Sequence, residues 1–299
     1  MPEQDEAARL DALIVDEGLP SGFRATVDTV LRPLARRIAD DRRRLGRSMI
    51  AGLCGSQGSG KSTFAAVLSI LLETMGLTTA ILSLDDLYLT SGERRALARD
   101  RHPLFAIRGP PGTHDVALGE RTLGALTEDR SALVDLPRFD KASDTRLRPD
   151  ARAGVKAPVD VVLFEGWCVG ARPQPAHELA RAINALEHDE DAEGDWRREV
   201  NRALGAEYQT LFSRLDLLVL LQAPGFEHVR AWRSLQERKL ALRLKAEGRA
   251  DKVMDAAALD RFIMYYERLT RWILREMPGR ADVVIRLGPD HEVVEMSGA

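Results

Sequence analysis

Only two cysteines, Cys54 and Cys168, occur in 299 residues, with no CxxC pair and no ligand spacing between them. Thiolate zinc sites and disulfide frameworks are thereby excluded, and both thiols are expected to be small buried hydrophobes. A basic excess is missing as well: 43 Lys and Arg face 46 Asp and Glu, for a net charge of -3. A nucleic-acid surface would need that excess, so no nucleic-acid partner is expected. Long apolar runs are also lacking. The longest, Leu217 to Leu221, is far too short to span a bilayer. The opening MPEQDEAARL is acidic and polar, unlike a secretory signal, so a cytoplasmic protein is expected. There is neither internal repeat nor low-complexity linker. What remains is 44% hydrophobic and 30% charged, an ordinary globular chain with enough length to bury a large core.

Residues 1–46 read as helices, with apolar positions at Leu10, Leu13 and Ile14, then Val27, Val30, Leu31, Leu34 and Ile38. The basic run from Arg36 to Arg47 is most simply a solvated helix face. Strand-like and helical stretches then alternate. Met49–Cys54 is apolar, and Phe64, Val67, Leu68, Leu71, Leu72 and Met75 share one helical face that Gly76 can end. Further strands are predicted at Thr79–Leu84, weakly at Ala132–Leu136, and at Val159–Phe164, Leu217–Leu221 and Ala281–Leu287. This alternation predicts an α/β fold, a mostly parallel sheet with helices on both faces. An N-terminal helical extension over 1–47 would precede one large domain over 48–299. In such folds ligands sit beyond the carboxyl ends of the strands, so the residues following each strand carry the chemistry.

After the first strand, GSQGSGKS fits G-x-x-x-x-G-K-[ST]. Gly55, Ser56, Gln57, Gly58, Ser59, Gly60, Lys61, Ser62 and Thr63 are therefore candidates for cradling the phosphates of ATP. The glycines turn backbone N–H groups inward, Lys61 reaches the β and γ phosphates, and the Ser62 hydroxyl ligates magnesium. The following helix adds its positive end. The second strand ends in LSLDDLY, leaving Asp85 and Asp86 at its tip. Asp85 is the expected base for an attacking hydroxyl, with Asp86 as its fallback; a helix cap or Asx turn is the bland alternative for either. The third strand gives VVLFEGWC, where Glu165 takes the Walker-B place beside magnesium and Ser62. Neither an LSGGQ-like signature nor an NKxD guanine reader is present, which weakens ABC-ATPase and GTPase readings. A charge-rich helix follows Gln222-Ala223-Pro224. Within it Arg230 and Arg233 are the candidates to bring a guanidinium onto the transferring phosphate, Arg233 being carried forward as catalytic. Trp232 and Leu235 are expected in the core.

Together GSQGSGKST, SLDDLY and LFEGWCVG resemble the phosphoribulokinase, uridine kinase and pantothenate kinase superfamily. Within it, RHPLFAIRGPPGTHD, LPRFDK, EGWCVG, INALEHDEDAEGDWR and APGFEHVRAWRSLQE resemble the D-glycerate 3-kinase family, over about residues 49 to 275. That resemblance implies ATP-dependent phosphorylation of a small hydroxy acid, with ATP and Mg2+ as cofactors and a lid within about 226–255. One segment departs from it: relatives tend to carry a Gly-rich, Arg-ending stretch after Arg-Phe-Asp-Lys, and here ASDTRLRP, residues 142 to 149, stands in its place. Its Arg146 could still occupy the place of an Arg that uridine kinases carry after their Tyr-Asp motif.

The segment from Tyr88 to Asp115 leaves and rejoins the second strand's end, so it should wall the acceptor pocket. RGPPGTHD is stiff, turn-like backbone. It would hold Arg108 and His114 without ordering cost; Arg108, Arg138 and Lys141 are the cations available for an acceptor carboxylate, with His114 as a donor. Asp115 would orient the imidazole or bind an acceptor hydroxyl; capping the next helix is its alternative role. A nucleoside or pantothenate acceptor, using Tyr88, Phe105, Phe139 or Trp167 as a platform, and a non-catalytic nucleotide switch are the competing readings. The acidic stretch Glu187 to Asp195 reads as an exposed loop.

Overall fold

The structure, a computed structural model, describes residues 2–128, 132–141, 143–147, 154–246 and 254–298. Three helical stretches lead in: α1 (Pro2–Asp16), α2 (Phe23–Thr26) and, after a π-helical turn at Val27–Leu31, α3 (Arg32–Leu45). Gly46, in the left-handed conformation at φ 67°, ends α3. The first strand β1 (Met49–Gly55) feeds α4 (Lys61–Thr74), then β2 (Thr79–Ser83) and α5 (Ser91–Asp100). A reciprocal capping box between Thr90 and Glu93 starts α5. Next come α6 (Val116–Thr127), β3 (Leu133–Asp135), β4 (Phe139–Asp140), β5 (Thr145–Arg146), β6 (Gly154–Lys156) and β7 (Val161–Gly166). The remainder is α7 (Ala185–Glu190), α8 (Asp195–Gly205), α9 (Glu207–Phe212), β8 (Leu217–Gln222), α10 (Phe226–Ala246), α11 (Ala256–Glu276), β9 (Val283–Leu287) and β10 (Val293–Ser297).

Six strands form the main sheet in the order β10-β9-β8-β1-β7-β2, all parallel except the antiparallel edge strand β10. Alternate residues of each strand feed opposite faces. Met49, Ala51, Leu53, Val161, Leu163, Val219 and Ile285 join a core with Leu10, Val27, Leu31, Leu34, Ile38 and the apolar face of α4. Ile50, Val162, Phe164, Leu218, Leu220 and Val284 join the core on the other side, with residues of α6, α8, α9 and α11. Because both faces are covered, β1 and β7 are buried end to end. Cys54 and Cys168 are free and buried, as expected. Among the described residues, no helix is long and apolar enough to cross a membrane.

Three expectations need correction, and one strand was missed. The weak strand near Ala132–Leu136 is real but lies outside the main sheet, pairing with β6 as β3. The strand β10, after the last predicted one, was not foreseen: it is mostly exposed and offers little apolar signal. Leu235 is exposed, while Trp232 is buried as expected. The acidic stretch Glu187 to Asp195 is exposed at six of its nine residues, but it is not loop throughout: it begins within α7 and ends at the first residue of α8, and Glu187 and Asp191 are buried on Arg268 and Arg197. Composition suggested solvation there, but two guanidiniums from elsewhere neutralise the acids.

Candidate active site

The loop Gly55–Gly60 leaves β1 and turns sharply into α4. Gly58 and Gly60 hold φ of 80° and 85°, a region in which side-chain-bearing residues are strained. A Cβ on Gly58 would come within 2.7 Å of the Trp232 Cβ, and one on Gly55 within 2.5 Å of Ser59 Oγ. Ser56 Oγ and Ser59 Oγ are buried without a protein hydrogen-bond partner. The loop is thus a tight backbone cradle at a helix N-terminus, suited to phosphate oxygens. His291, in the β9–β10 turn, donates from Nε2 to the Gly58 carbonyl at 2.7 Å; a carbonyl can only accept, so Nε2 carries the proton. Its ring stacks on Trp232, with centroids 4.3 Å apart. The turn after the last parallel strand and the start of α10 therefore buttress the loop tip together.

Glu165 stands at the carboxyl end of β7, in register with Leu53 of β1 and Ser83 of β2. Its Oε1 accepts from Ser62 Oγ at 3.2 Å, while Oε2 is buried with no protein partner. A lone buried carboxylate oxygen beside a serine hydroxyl is a donor set that fits a hard divalent cation also held by phosphate oxygens. Among the described residues no group of three or more His, Cys, Asp or Glu side chains forms a metal site of its own.

One strand over, Asp85 accepts from Tyr88 Oη at 2.6 Å and from Lys141 Nζ at 2.7 Å. Burial alone would raise its pKa, but the positive charges of Lys141 and Lys61, with those two hydrogen bonds, hold it well below the usual carboxylate range. Asp86 is differently occupied: Oδ2 accepts from Arg138 at 2.7 Å and Oδ1 from the Phe139 N–H at 3.0 Å. Burial pushes its carboxyl up despite those partners. Asp86 and Arg138 thus dock one segment of the wall onto another, a holding arrangement rather than an open binding face.

The RGPPGTHD arch is pinned from three sides. Trp167 Nε1 donates to the Gly109 carbonyl at 3.1 Å, Tyr266 Oη to the Arg108 carbonyl at 3.1 Å, and Gly112 N–H to Tyr208 Oη at 3.0 Å. Gly109, at φ 130°, has no room for a side chain, since a Cβ would lie 1.9 Å from Tyr266 Oη. His114 is buried, stacked on Tyr88 at 4.7 Å, with Nδ1 2.6 Å from Tyr208 Oη. Burial lowers its pKa to about 4, so at neutral pH it is an uncharged ring and no cationic anchor. Asp115 does not orient that ring. It caps α6 through Leu118 N–H at 2.9 Å and pairs with Arg146 at 2.7 Å, so the capping alternative is what the chain adopts. Arg108 lies over the Phe139 ring, 5.8 Å from its centroid, and keeps part of its guanidinium open.

Of the two lid arginines, Arg230 pairs with Asp260 of α11 at 2.6 Å. Arg233 pairs with Glu237 and lies over Phe262, 5.4 Å from its centroid, one residue beyond the tryptophan that touches Gly58. Of the lid expected within about 226–255, residues 247–253 lie outside the described residues. Sequence reasoning missed Tyr208, Tyr266 and His291, each of which reaches the site from far along the chain.

A phosphate cradle, a strand-end carboxylate bonded to the cradle serine and an ionised aspartate one strand away define a P-loop small-molecule kinase. No family model matches the sequence. The chain is 35% identical over 232 residues to "Uncharacterized kinase mug58" of Schizosaccharomyces pombe, covering 75% of this chain and 81% of that one. It is 29% identical over 244 residues to the chloroplastic D-glycerate 3-kinase of Arabidopsis thaliana, covering 78% of this chain and 50% of the plant protein. The solved D-glycerate 3-kinase of Cryptococcus neoformans superposes with a TM-score of 0.73 at 25% identity, over 90% of this chain and 99% of that one. The chain belongs to the D-glycerate 3-kinase family of P-loop kinases, and it is an ATP-dependent phosphotransferase.

Proposed function

We propose that this kinase transfers the γ-phosphoryl group of MgATP to a hydroxyl of D-glycerate, giving 3-phosphoglycerate. The observation that carries the reading is the shared wall of base and anion partner. Asp85 is bonded to Tyr88, Tyr88 packs edge-on against Phe139 at 5.4 Å, and Arg108 lies over that same Phe139 ring. A small acceptor spanning this wall would meet an ionised carboxylate at one end and a guanidinium at the other. The names of the plant and fungal relatives point to the same acceptor.

In this reading the Gly55–Thr63 loop binds the phosphates through backbone N–H groups, and Lys61 meets the transferring phosphoryl group. Ser62 and Glu165 hold the magnesium, which when bound neutralises charge on the phosphate oxygens. Asp85 accepts the acceptor hydroxyl's proton. Its low pKa makes it a weak base, which suits a loose transition state in which the nucleophile loses its proton late. Tyr88 and Lys141 use two of the carboxylate's roughly four lone-pair sites, leaving room for the hydroxyl. Arg233 is the lid cation of choice, and residues 226–255 the closing segment. A nucleoside acceptor finds less support, because Tyr88, Phe105, Phe139 and Trp167 are all buried in the fold and offer no open stacking face. ADP release from MgATP with D-glycerate, L-glycerate, pantothenate, uridine and no acceptor tests the proposal. Strong stimulation by D-glycerate supports it; stimulation only by another acceptor would sink it, and acceptor-independent silence would favour a nucleotide switch.

A further inference from the structure

The short hairpin of β4 and β5 meets the acceptor wall through ions. Arg138 reaches Asp86, Lys141 reaches Asp85, Arg146 reaches Asp115 and Glu93, and Asp144 reaches Arg94 and Arg108. Asp144 differs from the others in being the hairpin's only negative charge among these contacts. It lies in the segment ASDTRLRP that departs from the family pattern. Its backbone sits at φ 55°, in the left-handed region that aspartate adopts more readily than most side-chain-bearing residues.

Both partners of Asp144 are informative. Arg94 is 2% exposed, and every nitrogen of its guanidinium is spent: Nε on the Ala106 carbonyl, Nη1 on the Leu89 carbonyl and Nη2 on Asp144 Oδ2. Buried and bonded through all three nitrogens, it is an anchor rather than a ligand-facing group. Arg108 is the opposite case. Among the described residues only its Nη1 is engaged, by Asp144 Oδ1 at 2.6 Å, and its side chain is 28% exposed. The fork of Nε and Nη2 that a carboxylate would grip in bidentate fashion remains available.

We infer that Asp144 is a positioning residue for acceptor recognition: locked by Arg94, it fixes Arg108 so that the open edge of its guanidinium receives the acceptor's carboxylate. This inference rests on the anionic-acceptor reading above. Two guanidiniums and one carboxylate leave one positive charge, which a single acceptor carboxylate neutralises. A flexible arginine would lose rotamer freedom on binding, whereas one held by Asp144 and stacked on Phe139 has already lost it. Asp144 is too firmly held to serve as a plug that the substrate displaces, because leaving would strand the buried Arg94 Nη2.

Steady-state kinetics on Asp144→Ala and Asp144→Asn, each checked for folding by thermal melt, test this, with D-glycerate and its neutral amide as acceptors. The expected result for Asp144→Ala is a KM for D-glycerate raised about tenfold, with kcat and the KM for ATP changed less than about twofold, the pattern of lost uniform binding. Asp144→Asn, which keeps an acceptor oxygen, should fall between the two. The preference for acid over amide should shrink in both. An unchanged KM or an unchanged acid-over-amide preference overturns the inference. So does a lowered KM, which would make Asp144 a competitor of the substrate. Wild-type protein decides the underlying reading separately. If it uses a different carboxylate acceptor, D-glycerate fails while the same Asp144 expectations apply to that acid. If it uses only neutral acceptors, both fall.

Discussion

Asp85 and His114 show how burial and neighbours give one wall two different electrostatic characters. Both are near the same tyrosine, yet one is kept ionised by Lys141 and Lys61 and the other is kept neutral by burial. Replacing Asp85 by Asn preserves shape and hydrogen-bonding reach but removes the proton acceptor. Turnover should fall by about a hundredfold or more, while ATP binding, measured by titration, stays near wild type; a fully active variant would remove Asp85 from the role. His114 supports a stability prediction with a definite sign. Its folded pKa is lowered to about 4 from 6.5, so the unfolded chain takes up a proton first as pH falls. The stabilisation is complete above pH 6.5 and drains away toward pH 4, on the order of 3 kcal/mol in all. Melting temperatures measured across that window should therefore fall more steeply for wild type than for His114→Gln. Parallel curves would show that the ring does not titrate as its burial demands. At this scale the sequence was informative about identity and silent about partnership. Lys61, Asp85 and Glu165 announce themselves by following strands, whereas Tyr208, which bonds the imidazole from 94 positions away, carries no local signal.

Elements, rather than single residues, hold the nucleotide loop in shape. The loop is a run of small residues with little side-chain packing of its own, so its tip is fixed from outside by α10 and the β9–β10 turn. Trp232 packs on Gly58 and donates from Nε1 to the Pro289 carbonyl at 2.8 Å, and His291 closes the loop with its bond to Gly58. His291 itself has φ 66°, local strain at a position where it secures functional backbone. One such hydrogen bond contributes about 1 kcal/mol, so His291→Ala should weaken ATP about fivefold in KM with kcat little changed. Unaltered ATP affinity by titration would show that the loop holds its shape unaided. The same elements explain what the sequence hid. Main-sheet strands buried on both faces were legible as apolar runs, but β10 is an edge strand with exposed residues. The burial of Glu187 in α7 was missed because its partner, Arg268, lies 81 positions along the chain. A pattern of charge shows where charge is, and only the tertiary fold shows where it is neutralised.

At the scale of the whole molecule, the helical extension over 1–47 and the α/β body share one core. Leu10, Val27, Val30, Leu31, Leu34 and Ile38 are buried against α4 and one face of the sheet. Polar ties reinforce the seam: Arg42 pairs with Asp160 at 2.6 Å, Arg47 with Asp216 at 2.6 Å, and Arg37 donates to the Gly298 carbonyl at 2.8 Å. Six large apolar side chains at about 1.5–3 kcal/mol each amount to on the order of 10 kcal/mol of burial. That is as large as the net stability of a typical domain, about 5–15 kcal/mol. The surface ion pairs add little to this and chiefly set the fit. Although the ATP loop, Glu165 and Asp85 all lie beyond residue 47, a chain of residues 48–299 should not form a stable kinase. It would expose the apolar faces of α4 and the sheet to water and aggregate. Full-length protein, by contrast, should unfold in one cooperative transition, since no set of contacts divides the extension from the body. Size-exclusion chromatography and thermal melts on both chains decide the matter. A monomeric, cooperatively melting 48–299 chain with normal ATP affinity would make the extension a dispensable appendage and this shared core an accident of packing.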